Sequence, residues 1–449
     1  MIRSSTFLTL FLLSLVLGFT SCGDDDGPIV PVIGTITDIL EGESEFSNLV
    51  AALQRTGQDQ FLDGPTARLT FFAPNDAAFA AAGIDLGTIS DTELSNILAY
   101  HILVGQILRD GDIPDGRTEY DTRNATVPGG ISLPLTVDKD GSTLTLNGMT
   151  TVTAGPVEAV NGVYYTIDGI LMPPTLVDRA MLAGNFTTLL SLLERVELDE
   201  VLMDTGNYTI FAPTDAAFAA SSLDLSTLND DEVTDLLLYH VLGTTIPAAS
   251  IPSGQSFQTT LSTAGPDDTR LSLLLGSYPD SVTVNGSAEV VATDVYATNG
   301  VIHAIDEVLE MQDLVDFVTK AEQTSSLATA VTNAGLAGNL MTSGPFTVFA
   351  PTNAAFTAAA DTIATFTGNQ LQSVLLYHVL SGNVQSSDLV DGDVTTLNGQ
   401  ELTVSIEEDT APVLITPDST VVNFVTTDIQ ATNGVIHLIN GVLLPELED

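Results

Sequence analysis

Cysteine is nearly missing from this chain, tryptophan is missing altogether, and positive charge is scarce. A single Cys in 449 residues excludes an internal disulfide framework and any thiolate zinc cage. Eleven Lys and Arg stand against 58 Asp and Glu, a formal charge of −47. Such a surface repels phosphate backbones, which are bound through clustered cations that displace counterions. With Lys139 and Lys320 the only lysines, a nucleic-acid partner is excluded. The acidic excess keeps a chain soluble by self-repulsion and suits a saline exterior, where salt screens that repulsion. Binding of divalent cations is the alternative reading, but Asp138-Lys139-Asp140-Gly141 opens like a calcium loop and then lacks the remaining ligands. Hydrophobic residues still make up 44% of the chain, enough for real cores. At roughly 100 to 200 residues per domain, the length suggests two to four domains.

The start of the chain reads as an address. Arg3 precedes an apolar run from Phe7 to Phe19 that is too short for a comfortable membrane span, so residues 1–21 read as a removable signal peptide. Cys22 follows Thr20 and Ser21 in a setting that resembles the lipobox of bacterial lipoproteins, with Phe19 where that pattern carries Leu or another aliphatic. The alternative is an ordinary secretory signal with an incidental Cys. Acyl chains on Cys22 would anchor the protein to a membrane, each buried methylene contributing about 0.8 kcal/mol. Asp24, Asp25 and Asp26 come next. Acidic residues there resemble the export signal that sends some Gram-negative lipoproteins to the outer face of the outer membrane, and otherwise they are a solvated spacer. Residues 22–33, with Gly27, Pro28 and Pro31, form a short linker. The expected location is the outer membrane or cell surface, lipid-anchored, with the periplasmic face of the envelope as the alternative.

Self-comparison is more informative, because a fixed period reveals repeats before any element is assigned. Three strings recur in one order. Phe71–Phe79 (FFAPNDAAF) returns at Phe211–Phe218 and Phe349–Phe356. A Tyr-His pair on a leucine-rich stretch occurs as Tyr100-His101, Tyr239-His240 and Tyr377-His378. The string NGVYYTIDGIL from Asn161 is echoed by ATNGVIHAIDEVL from Ala297 and ATNGVIHLINGVLLP from Ala431. The steps from His101 to His240 and from His240 to His378 are all but equal, and each of these His follows the Phe of its Phe-Ala-Pro (Phe72, Phe211, Phe349) at one fixed interval. Units of that size fold alone, unlike solenoid turns. The domains are placed at 34–174, 175–311 and 312–449.

Each string has a physical reading. Alternation around Leu69 and Phe71 predicts a strand that Pro74 ends, with Asn75 or Asp76, then Thr214 and Thr352, capping a short helix. Ser90 with Glu93, Asn229 with Glu232, and Thr367 with Gln370 have capping-box spacing and start a second helix. Its apolar face runs through Leu94, Ile97 and Leu98 to His101, and likewise to His240 and His378. Asn-Gly in the third string signals a hairpin turn, followed by a strand with Val301, His303 and Ile305 in alternation. The unit mixes a strand-rich sheet with helices, an α+β domain.

These boxes resemble the fasciclin (FAS1) domain family: FAPT-x-x-AF, Tyr-His and NGVIH-x-I-x-x-VL, three ordered sets covering nearly all of 34–449. The resemblance implies three tandem FAS1 domains, each a twisted β-sheet wedge with several short helices, and a role in adhesion or matrix association outside the cell. The Tyr-His motif also resembles an integrin-contact segment of animal fasciclin proteins. That would fall on Tyr100, His101, Tyr239, His240, Tyr377 and His378, which a bacterial lipoprotein would use as core or domain-shaping residues instead. Asp112-Ile113 and Asp388-Leu389 resemble a second proposed contact. Ser250-Ile251 interrupts that pattern, and a turn capped by Asp explains it.

All five His fall at repeat-locked places, with Tyr165 at the sixth. A catalytic imidazole needs a nucleophile or acid partner, and a metal site needs three or four donors; neither set is evident, so structural His are expected, with no metal and no cofactor. Nucleophile-elbow, dinucleotide, Walker and zincin motifs are absent. The expectation is a non-enzymatic, surface-anchored module binding a surface protein, matrix or polysaccharide through three weak sites. The alternatives are a glycan-binding accessory of a polysaccharide uptake system and a structural envelope spacer.

Overall fold

The computed structural model describes residues 34–447 apart from 65, 128–129, 342–343 and 407–410. The signal peptide, Cys22 and the whole linker, residues 22–33, lie outside the described residues. Every repeat opens with a capped helix. Thr35, Thr175 and Asp313 accept the amide of Asp38, Asp178 and Asp316, whose carboxylates reach back to the cap, and helices Ile36–Gly42, Leu176–Ala183 and Leu314–Lys320 follow. The Phe-Ala-Pro strand is Leu69–Pro74, Tyr208–Pro213 and Phe346–Pro351 in the three repeats. Asn75, Thr214 and Thr352 cap the short helix after it, and Ser90, Asn229 and Thr367 cap the helix that leads to Tyr-His. Local residues satisfy the orphan amides at each of these ends; the latter two helices were visible in the sequence for that reason, and the opening helix was not read there.

One seven-stranded sheet forms in each repeat, always in the same order. In the first, the neighbours are Ile102–Val104, Leu69–Pro74, Gly162–Ile167, Thr150–Ala159, Thr143–Leu146, Pro134–Asp140 and Gly116–Asp121. Every pairing is antiparallel except one. The Phe-Ala-Pro strand lies parallel to the last strand, with Phe72 opposite Tyr165, Phe211 opposite His303 and Phe349 opposite His437. Boxes from opposite ends of a repeat are therefore adjacent.

Successive side chains of a strand face opposite sides of the sheet. Phe71 accordingly joins a helical core with Leu40, Leu49, Leu53 and Leu98, while Phe72 joins a second core with Tyr100, Leu135, Leu146 and Tyr165. The second and third repeats divide the same way. The result is three α+β wedges, each with its own pair of cores.

Neighbouring domains meet through equivalent positions. Arg117 donates to the Leu182 carbonyl at the first junction, and Gln255, its counterpart one repeat later, donates to the Lys320 carbonyl at the second. The chemistry beside these contacts differs. At the first junction Arg179 Nη2 lies 2.8 Å from Glu119 Oε1, and the Thr136 hydroxyl is 3.4 Å from the same oxygen. The matching positions at the second are Phe317, Phe257 and Leu274. There the two rings meet edge to face at 5.6 Å, and Leu274 packs into the third domain's helical core.

Candidate functional site

The three recurring boxes converge on one buried cluster in each domain. The helix carrying Tyr-His ends at the Tyr, and the His takes the capping position just beyond it instead of extending the helical face. All six side chains, Tyr100, His101, Tyr239, His240, Tyr377 and His378, are at most 3% exposed. A partner touching the folded surface does not meet them.

Their hydrogen bonds are repeated almost to the atom. Nδ1 of His101, His240 and His378 donates to the carbonyl of Ile97, Leu236 and Val374 at 2.7–2.8 Å. Nε2 accepts the amide of Leu171, Leu309 and Leu443 at 2.9–3.0 Å. The His carbonyl accepts the amide of Phe72, Phe211 and Phe349, the Phe of Phe-Ala-Pro. Burial holds all three imidazoles down to about 4, and the fixed amide donor at Nε2 requires the neutral ring. Burial pushes the hydroxyls of Tyr100 and Tyr377 up to about 12.

The strand histidines complete the cluster. His303 and His437 lie against Phe211 and Phe349 with ring centroids 5.7 and 5.9 Å apart, and Tyr165 stacks on Phe72 at 5.8 Å. Nε2 of His303 and His437 donates to the Ile246 and Val384 carbonyls at 2.9 Å, while Nδ1 accepts the amide of Asp294 and Asp428. In the first domain the Tyr165 hydroxyl reaches the Leu108 carbonyl, the counterpart of Ile246, at 2.9 Å. Tyr thus replaces His because one donor at that point suffices.

Asp294 and Asp428 sit at strand bulges with φ of +60° and +61°. Their carboxylates accept the amides of Ala248 and Ser386, at the start of a turn more than 40 residues earlier in the chain, at 2.9 and 2.7 Å. The expected Asp-capped turn is present at Asp112, which accepts the Arg109 amide at 3.1 Å. In the other two domains this bulge Asp supplies the cap, so Ser250 can stand where Asp388 does. Ile113, Ile251 and Leu389 are buried beneath the turns.

Ser386, Asp428 and His437 are close together, yet their order is wrong for nucleophilic catalysis. The Ser386 hydroxyl bonds to the carboxylate and not to the imidazole. Both nitrogens of His437 are committed to backbone groups, which leaves no lone pair to take a proton. The 3.8 Å between His437 Nδ1 and Asp428 is therefore not an ion pair, since that nitrogen accepts an amide proton. Burial raises the Asp428 carboxyl, but hydrogen bonds from Ser386 outweigh it and leave the group below the usual range. No group of three or more His, Cys, Asp or Glu among the described residues is arranged to hold a metal.

Three roles escaped the sequence reading. Asn-Gly does close a hairpin, but its glycine is fixed by proximity and not by the turn: a Cβ on Gly162, Gly300 or Gly434 would lie 2.0–2.1 Å from the carbonyl oxygen of Leu69, Tyr208 or Phe346. Asn161, Asn299 and Asn433 accept the first amide of the opening helix and donate to the carbonyl of Leu62, Leu202 or Leu340. They tie the end of each repeat to its beginning. Asn147 and Asn285 each place Nδ2 3.0 Å from the Tyr-His hydroxyl at φ of +48° and +52°. Asn147-Gly148 and Asn285-Gly286, separated by one repeat length, carried the signal. In every domain the same hydroxyl donates to a strand carbonyl, that of Pro134, Ser272 or Glu401, at 2.7–3.0 Å.

These features define a protein of tandem, separately cored wedges whose recurring polar residues are spent on holding backbone. The fasciclin domain model matches at residues 44–173, 184–311 and 322–445, and the chain belongs to that family. Fasciclin domains are generally adhesion domains and not enzymes. The chain is 29% identical over 436 residues to the transforming growth factor-beta-induced protein ig-h3 of Sus scrofa, covering 94% of this chain and 59% of that one. It is 29% identical over 261 residues to human periostin, covering 56% and 30%. The chain thus spans roughly a third to three-fifths of the length of these relatives. A single domain is 37% identical over 142 residues to the Synechocystis protein sll1735, covering 30% of this chain and 98% of the other. Among solved structures, a FAS1 domain pair from the insect cell adhesion molecule Fasciclin I matches with a TM-score of 0.37 and 20% identity, covering 57% of this chain and 92% of that one.

Proposed function

We propose that this chain is a cell-surface lipoprotein, anchored through Cys22, that acts as a multivalent adhesion or matrix-binding module. The observation that carries this reading is repetition: the same wedge occurs three times in one chain, joined by equivalent contacts at both junctions. Linking weak sites makes each later binding event intramolecular, which raises avidity by about 100- to 10,000-fold without a tight site. The buried Tyr-His pairs shape the wedge in this scheme, and exposed surface makes the contact.

Chains of one, two and three domains, beginning at Gly34, test the idea. Retention on intact cells or isolated matrix should rise steeply with domain number, and equal retention of one domain and three would sink multivalency. Cys22→Ala should move the protein from the membrane fraction to the soluble fraction. A glycan array showing one strong class of polysaccharide would replace adhesion with the uptake-accessory reading.

A further inference from the structure

The third domain contains an apolar cavity of about 120 Å³ between its opening helices and the edge of its sheet. Val318, Leu327, Ala328, Val331, Leu340 and Leu375 line it. Its polar neighbours are already engaged. Thr319 and Thr332 donate to the carbonyls of Asp316 and Ala328, and both nitrogens of His378 are bonded to backbone. Nothing there offers a water the two or more partners it needs, so the space suits hydrocarbon and not solvent.

Comparison between repeats explains the space. Helix Ser325–Asn333 aligns residue for residue with Thr187–Arg195 of the preceding repeat. Ala328 stands where the second domain has Leu190, Val331 where it has Leu193, and Val348 where it has Ile210. The exchange removes three carbons at the first place and one at each of the others. Thr324, buried just before this helix, stands where the other two domains bury Phe186 and Phe46. Val318, where the second domain has Ala180, returns two carbons, so the wall keeps a net loss of bulk on one face of one domain.

We propose that this cavity is a binding site for a compact hydrocarbon group about the size of a six-carbon ring, making the third domain a ligand-carrying member of the array. An apolar protein cavity of roughly 150 Å³ lined by Leu, Ile and Phe stays dry and takes up benzene or xenon. The cavity here is close to that size and equally free of unmet polar groups. The inference is independent of the adhesion reading, because it rests on the interior of one domain and not on its surface.

Benzene is the probe, and the whole mature chain with Cys22→Ser is the sample. Calorimetric titration should show saturable binding at one site per chain, with NMR shifts concentrated on Leu327, Val331 and Leu340. Ala328→Leu, which restores the second domain's residue, should weaken binding at least tenfold while the melting temperature holds or rises. Val331→Leu copies the second domain at another wall and serves the same purpose if the first variant fails to fold. Absence of saturable binding to the parent chain, shifts scattered elsewhere, or equal binding by a folded filling variant would overturn the proposal.

Discussion

His101, His240 and His378 each give one ring proton to a carbonyl and accept an amide proton at the other nitrogen, so a second ring proton has no place to go. Unfolded His takes up its proton near pH 6.5, whereas these hold it off down to about 4. Between those values the unfolded chain binds more protons, so stability is complete above about pH 6.5 and is lost progressively as pH falls toward 4. At about 1.4 kcal/mol per tenfold change, each imidazole withdraws about 3 kcal/mol over that window. Urea midpoints measured at pH 7.5, 5.5 and 4.5 should fall steadily, and a flat profile from 7.5 to 5.5 would remove the imidazoles from the account. Gly300→Ala gives a second check at this scale. Its Cβ would lie 2.1 Å from the Tyr208 oxygen, so the parallel strands must part, with an expected loss of about 2 kcal/mol or more in denaturant titration. The structural reading of the His was legible because Tyr165 breaks the pattern where catalysis would not allow it. The reason for the glycine was not, because it depends on a carbonyl from a strand far away in sequence.

Elements that end on their own residues were the easiest to foresee. Ser90, Asn229 and Thr367 announce their helices because a side chain three residues away satisfies the free amides. By the same physics Thr175→Ala, which strips the opening helix of the second domain of its cap, should cost about 1 kcal/mol in the thermal unfolding of that domain. Pairing between elements was not foreseeable. Nothing in Phe-Ala-Pro or in NGVIH names the other as its parallel neighbour; periodicity showed only that the two keep step through three copies. The bulges at Asp294 and Asp428 were equally hidden, since an aspartate at positive φ inside a strand leaves no local mark. They hold the turn that carries Ser250 or Asp388, far earlier in the chain, and hence make those two residues interchangeable.

At the scale of the whole molecule, repetition gave the number of domains, but the character of each junction came only with the structure. Arg179 is 4% exposed, its partner Glu119 is half exposed, and its Nε and Nη1 make no hydrogen bond among the described residues. Breaking such a pair from one side strands a buried charge. Glu119→Leu should therefore loosen the first junction and leave the second unchanged, read as new protease cleavage between the first and second domains. Raising salt from about 0.05 to about 1 M should weaken the ionic junction before the aromatic one, and small-angle scattering would show the bend at the first. The alternation also fixes sequence order in assembly terms. Excising residues 175–311 would bring the outer two modules face to face and set the ring of Phe317 where Arg179 now meets the carboxylate of Glu119, leaving that carboxylate without its cation. Alike in fold, these modules are keyed like plugs and sockets, and shuffling them would cost the array its joints.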